Sequence, residues 1–146
     1  MTTVLVLNGP NLQRLGTREP DIYGSETLDD VREALVAAAP DGVRIDLRQT
    51  DDEATLIGWL HEAADTGSAV ILNPAAFTHY SYAVRDAAAI VVGAEVPVIE
   101  VHISNPQARE EFRHTSVLSG VVTGTIAGLG TNGYLLALAH LTRPPA

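Results

Sequence analysis

The sequence predicts one α/β domain in which helices cover both faces of a five-stranded parallel sheet. Short apolar runs alternate with longer segments of helical periodicity along the 146 residues, a length typical of one domain. Such alternation favours parallel strands joined by helical crossovers, so we expect a three-layer sandwich with strand order 2-1-3-4-5, as in flavodoxin-like folds. We assign residues 1–142 to this domain and residues 143–146 to a frayed tail.

Five segments are predicted as strands. Residues 4–8 are apolar up to a turn signal that begins at Asn8, which is typical of a strand buried on both faces. Residues 43–48 alternate between apolar and polar side chains, which also favours a strand. The remaining strands are predicted at residues 68–72, 96–101 and 121–126.

Five segments are predicted as helices. Residues 27–38 have helical spacing after a capping box at Thr27, and a second capping box at Thr50 begins a helix that ends near Gly67. Residues 81–92 and 131–141 show the same apolar spacing. Asn105 followed by Pro106 predicts the start of the remaining helix.

The composition excludes several classes of function. A formal net charge of −9 argues against a nucleic-acid partner, because phosphate binding needs a basic face. The absence of cysteine excludes disulfides and zinc sites built from thiolates. No apolar run approaches the length of a membrane span, and residues 1–10 lack the basic start of a signal peptide, so we expect a cytoplasmic protein without membrane contact.

Ligands of such sheets bind beyond the carboxyl ends of the strands, so residues that follow a strand are the candidates for a site. Asn11 follows the first strand and opens a loop of about 18 residues without regular pattern, which carries Arg18 and Tyr23. The alternative is an ordinary surface loop. Asn73 and His79 follow the third strand and offer hydrogen bonds, although a lone histidine is more often structural.

The fourth strand ends in a carboxylate and an imidazole. Glu100 and His102 are two residues apart, so their side chains lie on one face of the strand, where the carboxylate fixes the imidazole tautomer and favours its protonated form. A metal site made by this pair with His79 is not expected, since no HExxH-type spacing is present.

Backbone amides and arginines follow this pair. The N–H groups of Ile103 and Ser104 precede the predicted helix start and form a seat for a carboxylate. Arg109 and Arg113 are four residues apart, so they are predicted on one face of that helix. Pairing with Glu110 or Glu111 is the alternative for both arginines.

A glycine-rich segment at residues 128–133 matches the pattern G-x-G-x-x-G. A dinucleotide site would also need a further strand and an acidic residue about 20 positions later, and the chain has neither. Close packing of a helix on the sheet explains these glycines better.

Motifs with fixed spacing extend along almost the whole chain. They are LNGPNL at 7–12, LG at 15–16, REP at 18–20, YG at 23–24, NPAAFTH at 73–79, RDA at 85–87, EVHISN at 100–105, REEFR at 109–113, Gly124, GLG at 128–130 and GY at 133–134. In these motifs the chain resembles the type II 3-dehydroquinate dehydratases.

The resemblance implies a lyase reaction without a cofactor. Its substrate would be the small molecule 3-dehydroquinate, which loses water by anti elimination through an enolate to give 3-dehydroshikimate, in the shikimate pathway of aromatic amino-acid biosynthesis or in quinate catabolism. Tyr23 would be the base and His102 the acid, oriented by Glu100. Arg18 would support the phenolate, and Asn11 would hold a water facing the enolate oxygen.

The resemblance also implies the groups that bind the substrate. These are Asn73, His79, Asp86, the amides of Ile103 and Ser104, and Arg113, with Arg109 as further support. Physically, one guanidinium about 4 Å from a phenolate contributes about 4 kcal/mol at an effective dielectric near 20, so Arg18 suits its implied role.

Similar enzymes assemble as trimers stacked into homododecamers, in which a neighbouring subunit contributes to each site. This chain departs from many relatives at Tyr80, where they have threonine, and near Ala94 and Glu95. These departures leave the chemistry intact and bear on rate, affinity and assembly.

Two other functions fit the same fold. A flavodoxin-like module that binds a nucleotide or another small molecule would need a phosphate-binding loop after the first strand, where this chain has Pro10 and Pro20. A receiver-type regulatory domain would have acidic residues there.

Overall fold

The computed structural model describes residues 2–144 and contains the predicted parallel sheet, in the order β2-β1-β3-β4-β5. The strands are β1 (Thr2–Asn8), β2 (Val43–Gln49), β3 (Ala69–Asn73), β4 (Val98–His102) and β5 (Gly124–Ala127). Of the predicted tail, residues 145 and 146 lie outside the described residues.

The sheet separates two apolar layers. Val4 and Val6 of β1 pack towards α2 (Leu28–Ala38) and α5 (Asn132–Leu141), while Leu5 and Leu7 pack towards α3 (Glu53–Thr66) and α4 (Tyr82–Gly93). Successive side chains of a strand point to opposite faces, so both faces of β1 are buried, as the continuous apolar run predicts. No helix within residues 2–144 is long and apolar enough to cross a membrane.

Of the two capping boxes predicted at helix starts, the one at Thr27 is present and the one at Thr50 is not. Thr27 begins α2 with a reciprocal capping box: its side chain accepts from the Asp30 amide, and the Asp30 carboxylate accepts from the Thr27 amide. The capping box predicted at Thr50 is wrong. Asp52 is the cap of α3 instead, because its carboxylate accepts from Ala54 N, while the Thr50 hydroxyl accepts from Asp52 N.

The helix predicted to begin at Asn105 is absent. Two short 3₁₀ helices, Pro106–Ala108 and Glu111–His114, occupy this segment, with extended backbone at Arg109 between them. Side chains bond the backbone here in place of a helical ladder: the Gln107 amide donates to His114 O, and the His114 imidazole donates to Arg109 O. Arg109 and Arg113 therefore do not share a helix face.

The strand predicted at residues 121–126 begins later than expected. Val121 N and Val122 N both donate to Leu118 O, so a tight turn occupies the start of this segment and β5 begins at Gly124. The loop after β1 also has more structure than predicted. It contains a 3₁₀ turn, Leu12–Arg14, and one helical turn, α1 (Pro20–Tyr23).

Candidate active site

A cavity of about 220 Å³ opens beyond the carboxyl ends of β1, β3 and β4. This is the crevice where the strand order reverses and where doubly wound sheets bind ligands. Its lining includes all the predicted site residues except Glu100 and Asp86. They are Asn11, Arg18, Tyr23, Asn73, His79, His102, Ile103, Ser104, Arg109 and Arg113, joined by Pro10, Leu12, Ala75, Ala76 and Pro106.

The loop after β1 brings Arg18 and Tyr23 to the cavity. Pro20 begins α1 after Glu19, which has left-handed backbone (φ 40°), and Tyr23 N donates to Glu19 O. This single turn places the Arg18 guanidinium 4.7 Å from the centroid of the Tyr23 ring. The loop is held from below by Leu12 and Leu15, which are buried in the core.

A second guanidinium approaches the same phenol. Arg109 lies 5.1 Å from the Tyr23 ring centroid, and its Nη1 donates to Ser104 Oγ. Its Nε atom is buried and has no hydrogen-bond acceptor within residues 2–144. Both guanidinium groups are thus within the range of a cation–π contact with the Tyr23 ring.

Glu100 and His102 form a hydrogen-bonded pair at the end of β4. His102 Nε2 lies 2.5 Å from Glu100 Oε2, and the Glu100 side chain is fully buried. Burial raises the pKa of Glu100, but the hydrogen bond and charge of His102, with hydrogen bonds from Thr78 and Ser119, hold it below its usual value. The carboxylate therefore accepts from Nε2–H and leaves Nδ1 of the imidazole for a ligand.

Three polar side chains link the ends of β1 and β3. Asn8 and Asn73 are paired across the strands, and the Tyr134 hydroxyl donates to Asn8 Oδ1 (2.7 Å) and accepts from Asn73 Nδ2 (2.9 Å). Burial raises the pKa of Tyr134, so its hydroxyl stays neutral. Sequence reasoning missed Tyr134, although a tyrosine in an apolar helix and an asparagine at each strand end were visible signals.

Arg113 and His79 complete the polar wall. Arg113 Nε donates to Glu110 Oε2 at 3.0 Å, so the alternative pairing considered from sequence is present in the structure. His79 Nδ1 donates to Thr115 O at 2.8 Å, which leaves Nε2 as the ring nitrogen free for a ligand.

The amides of Ile103 and Ser104 border the same cavity. Neither N–H group has an acceptor among residues 2–144. Their predicted position before a full helix is wrong, since only the three-residue turn Pro106–Ala108 follows. Two adjacent unpaired amides nevertheless suit an anionic oxygen.

Asp86 stands apart from the cavity of its own chain. Its side chain on α4 is 71% exposed and forms an ion pair with Arg85 at 2.8 Å. The structure therefore does not bring Asp86 together with the other predicted residues.

The remaining sequence patterns give no additional ligand site. Gly133 packs α5 on the sheet, since a Cβ there would lie 3.2 Å from Val101 Cγ1 and 3.5 Å from Ile126 Cγ2. Among residues 2–144, no three histidine, aspartate or glutamate side chains are grouped as metal ligands.

Comparison with known proteins connects this geometry to one family. The family model "Dehydroquinase class II" matches residues 2–142. A 3-dehydroquinate dehydratase of Salinispora tropica is 58% identical over 139 residues, which are 94% of this chain and 95% of that protein. One of Halalkalibacterium halodurans is 58% identical over 142 residues, covering 97% and 96% of the two chains.

A solved structure shows the same similarity in three dimensions. The type II dehydroquinase from Propionibacterium acnes superposes with a TM-score of 0.91 at 54% identity, covering 97% of this chain and 96% of that one. On this evidence, the chain belongs to the class II dehydroquinases.

Proposed function

We propose that this chain is a 3-dehydroquinate dehydratase that eliminates water from 3-dehydroquinate to give 3-dehydroshikimate. One observation carries the proposal: a single cavity contains a phenol near two guanidinium groups, and an imidazole bound to a buried carboxylate. The phenol supplies the base and the imidazole the acid, which are the two groups that an elimination requires. A flavodoxin-like binding module is not favoured, because it would need neither group.

The base removes the proton next to the substrate ketone. The phenolate of Tyr23 takes this proton, and the C–H electrons form an enolate whose oxygen faces a water held by Asn11. Arg18 and Arg109 stabilise the phenolate before the transfer.

The acid completes the elimination. As the enolate collapses, the C–O bond breaks and the imidazolium of His102 gives a proton to the departing hydroxyl, which leaves as water. Glu100 keeps the imidazole oriented and compensates its charge. The substrate carboxylate is received by the unpaired amides of Ile103 and Ser104, and its remaining polar groups by Asn73, His79 and Arg113.

Asp86 acts from a neighbouring subunit. Its carboxylate does not line the cavity of its own chain and is exposed on α4. A homo-oligomer that places α4 over the cavity of the next copy would supply this carboxylate to a substrate hydroxyl. We propose the tetramer of trimers implied by the resemblance as that assembly.

The reaction is tested with purified protein, 3-dehydroquinate and EDTA, by the ultraviolet absorbance of the conjugated enone product. Wild-type protein is expected to form product at a rate unaffected by EDTA. Tyr23→Phe should bind substrate but lose turnover by orders of magnitude, since it keeps the ring and removes the base. Thr2→Val is the control, because it removes the hydroxyl of an exposed side chain at the amino end of β1, whereas the cavity lies beyond the carboxyl ends of the strands.

The intersubunit carboxylate has its own test. Tyr23→Phe and Asp86→Asn are each expected to be inactive alone. After mixed reassembly, about a quarter of the sites would combine an intact tyrosine with an intact aspartate, so activity should return. If mixing restores no activity, Asp86 does not act across a subunit boundary.

A further inference from the structure

The buried carboxylate of Glu100 accepts two hydrogen bonds besides that of His102. Thr78 Oγ1 donates to Oε2 at 2.6 Å, and Ser119 Oγ donates to Oε1 at 3.0 Å. Glu100 is fully buried and Thr78 is 1% exposed, so neither is free to exchange this contact for bulk water. Every oxygen of the carboxylate is thus held by a hydroxyl.

The hydroxyl of Thr78 is itself part of a directed chain. Its single proton goes to Glu100, so Ser116 must donate in the 2.7 Å contact between Ser116 Oγ and Thr78 Oγ1. Ser116 Oγ in turn accepts from the amides of Leu118 and Ser119. Each bond in such a chain polarises the next, which strengthens the final donation to the carboxylate.

The backbone holds this chain in place. Val117 N donates to Thr78 O at 2.7 Å, and Thr115 O accepts from the imidazole of His79 at 2.8 Å. Residues 115–119 are therefore fixed on the 3₁₀ helix Ala75–His79 that carries Thr78. The position of the Thr78 hydroxyl is set by two segments that are distant in sequence.

We propose that Thr78 and Ser119 are positioning residues of the elimination, which hold the Glu100 carboxylate ionised and in one rotamer so that His102 acts as a charged acid. This inference rests on the proposed function. Without these donors, a buried carboxylate is driven towards its neutral form. A neutral Glu100 would donate to Nε2 and leave an uncharged imidazole, which is a much weaker acid than the imidazolium.

Other titratable groups surround the pair without replacing these hydroxyls. His79, His114 and Arg113 line a smaller cavity of about 130 Å³ that also contacts Thr78, Ser119 and His102. Tyr23, Arg109 and His102 line the catalytic cavity together. Among the described residues, His102 is the one whose charge lowers the pKa of Glu100, and Thr78 and Ser119 lower it further by hydrogen bonding.

The kinetic test compares Thr78→Val, Thr78→Ser and Ser119→Ala with wild type. We expect Thr78→Val to lower kcat about tenfold, the size of one hydrogen bond to a charged group, and Ser119→Ala to lower it about threefold through its longer bond. KM should stay within about twofold, because neither hydroxyl lines the cavity that binds the substrate. Thr78→Ser keeps a hydroxyl and should retain most of the wild-type kcat.

A double mutant tests whether the hydroxyl acts through the carboxylate. In a Glu100→Gln background, Thr78→Val should lower kcat no further, since its route to His102 is already lost. A tenfold loss in both backgrounds would mean that Thr78 acts on folding or on another group, and would overturn the proposal.

The titration of Glu100 gives a measurement that needs no activity. In ¹³C-glutamate-labelled protein, the Glu100 carboxyl signal is identified by its loss in Glu100→Gln. Its titration midpoint should rise in Thr78→Val and Ser119→Ala and stay near wild type in Thr78→Ser. Unchanged midpoints together with unchanged kcat would overturn the proposal, whereas wild-type protein that forms no enone would instead refute the proposed function.

If Thr78→Val does not fold, Ser119→Ala decides the question. Ser119 is more exposed, and the substitution removes one hydroxyl without filling or emptying the core. A folded Ser119→Ala protein with wild-type kcat and an unmoved Glu100 midpoint is sufficient to reject the role of Ser119 and, with it, the paired arrangement proposed here.

Discussion

Replacing Tyr134 with phenylalanine should destabilise the fold through one oxygen atom. The side chain is fully buried, and its hydroxyl bridges Asn8 Oδ1 at 2.7 Å and Asn73 Nδ2 at 2.9 Å. Phenylalanine fills the same space, so the substitution removes the two hydrogen bonds of the hydroxyl and leaves the apolar packing unchanged. One net hydrogen bond (about 1 kcal/mol) and a buried acceptor left without a partner (about 1–3 kcal/mol) together cost roughly 3 kcal/mol.

The cost falls on the acceptor of Asn8 more than on the donor of Asn73. Among residues 2–144, Tyr134 is the donor that reaches the oxygen of the fully buried Asn8, whereas Asn73 is 3% exposed and lines the cavity. We therefore expect a fall in the free energy of unfolding of about 3 kcal/mol, or roughly 6–12 °C in Tm for a chain of this size. A much smaller loss would mean that water or a rotated asparagine satisfies the acceptor.

The measurement is urea unfolding followed by far-ultraviolet circular dichroism at one fixed protein concentration. Thr2→Val is the control, because it removes a hydroxyl from an exposed side chain at the amino end of β1. Its expected change is within about 0.5 kcal/mol. If Tyr134→Phe is also within about 0.5 kcal/mol of wild type, the hydroxyl bridge does not stabilise the sheet and this reasoning is wrong.

The remaining predictions concern backbone space, a helix cap and pH. Gly9→Ala should lower the free energy of unfolding by about 3 kcal/mol and disturb the cavity, because the new Cβ would lie 2.6 Å from Pro74 O. Gly58→Ala in α3 should raise the free energy of unfolding by about 1 kcal/mol, because its Cβ would meet nothing within 4 Å. Urea unfolding measures both changes. Thr27→Ala removes the capping box and should lower the free energy of unfolding by about 1 kcal/mol, an expectation that an unchanged urea midpoint would contradict. The pKa of Glu100 is lower in the folded chain than in the unfolded chain, so the ionised carboxylate stabilises the fold fully above the usual carboxyl pKa. This stabilisation is lost as the pH falls through the lowered pKa. Glu100→Gln should therefore make the free energy of unfolding less dependent on pH in this acid range, and an equally steep dependence would refute the linkage.

The order of the sheet could be predicted from the sequence, because the apolar residues of each segment show the spacing of either a strand or a helix, and the two kinds of segment alternate along the chain. The apolar run before Asn8 and the reciprocal box at Thr27 are local signals, and both elements appear close to where they were predicted. The segment after β4 failed for the opposite reason. Asn105 and Pro106 give a strong local signal for the start of a helix. The structure has only the 3₁₀ turn Pro106–Ala108 here, and the side chains of Gln107 and His114 donate hydrogen bonds to the backbone in place of a helical ladder.

Site residues at strand ends were predictable, and their supporting partners were not. Asn73 and His102 follow strands, so topology alone brings them to one edge of the sheet. Thr78 bonds Glu100, and Val117 N bonds Thr78 O, so three segments that are distant in sequence meet here, which no spacing in the sequence reveals. The approach of Arg109 to Tyr23 was missed as well, since it depends on the extended backbone that replaces the predicted helix.

The two halves of the proposed chemistry are supported by different kinds of structure. His102 ends a strand, and its partner Glu100 is held by the buried hydroxyl of Thr78 and by the hydroxyl of Ser119, so the acid is supported by the sheet. Tyr23 belongs to a single helical turn on a long loop, held by buried leucines beneath it and by guanidinium groups beside it. The base therefore depends on a loop and the acid on the sheet, so a change in the loop after β1 is expected to displace the base and to leave the acid in place.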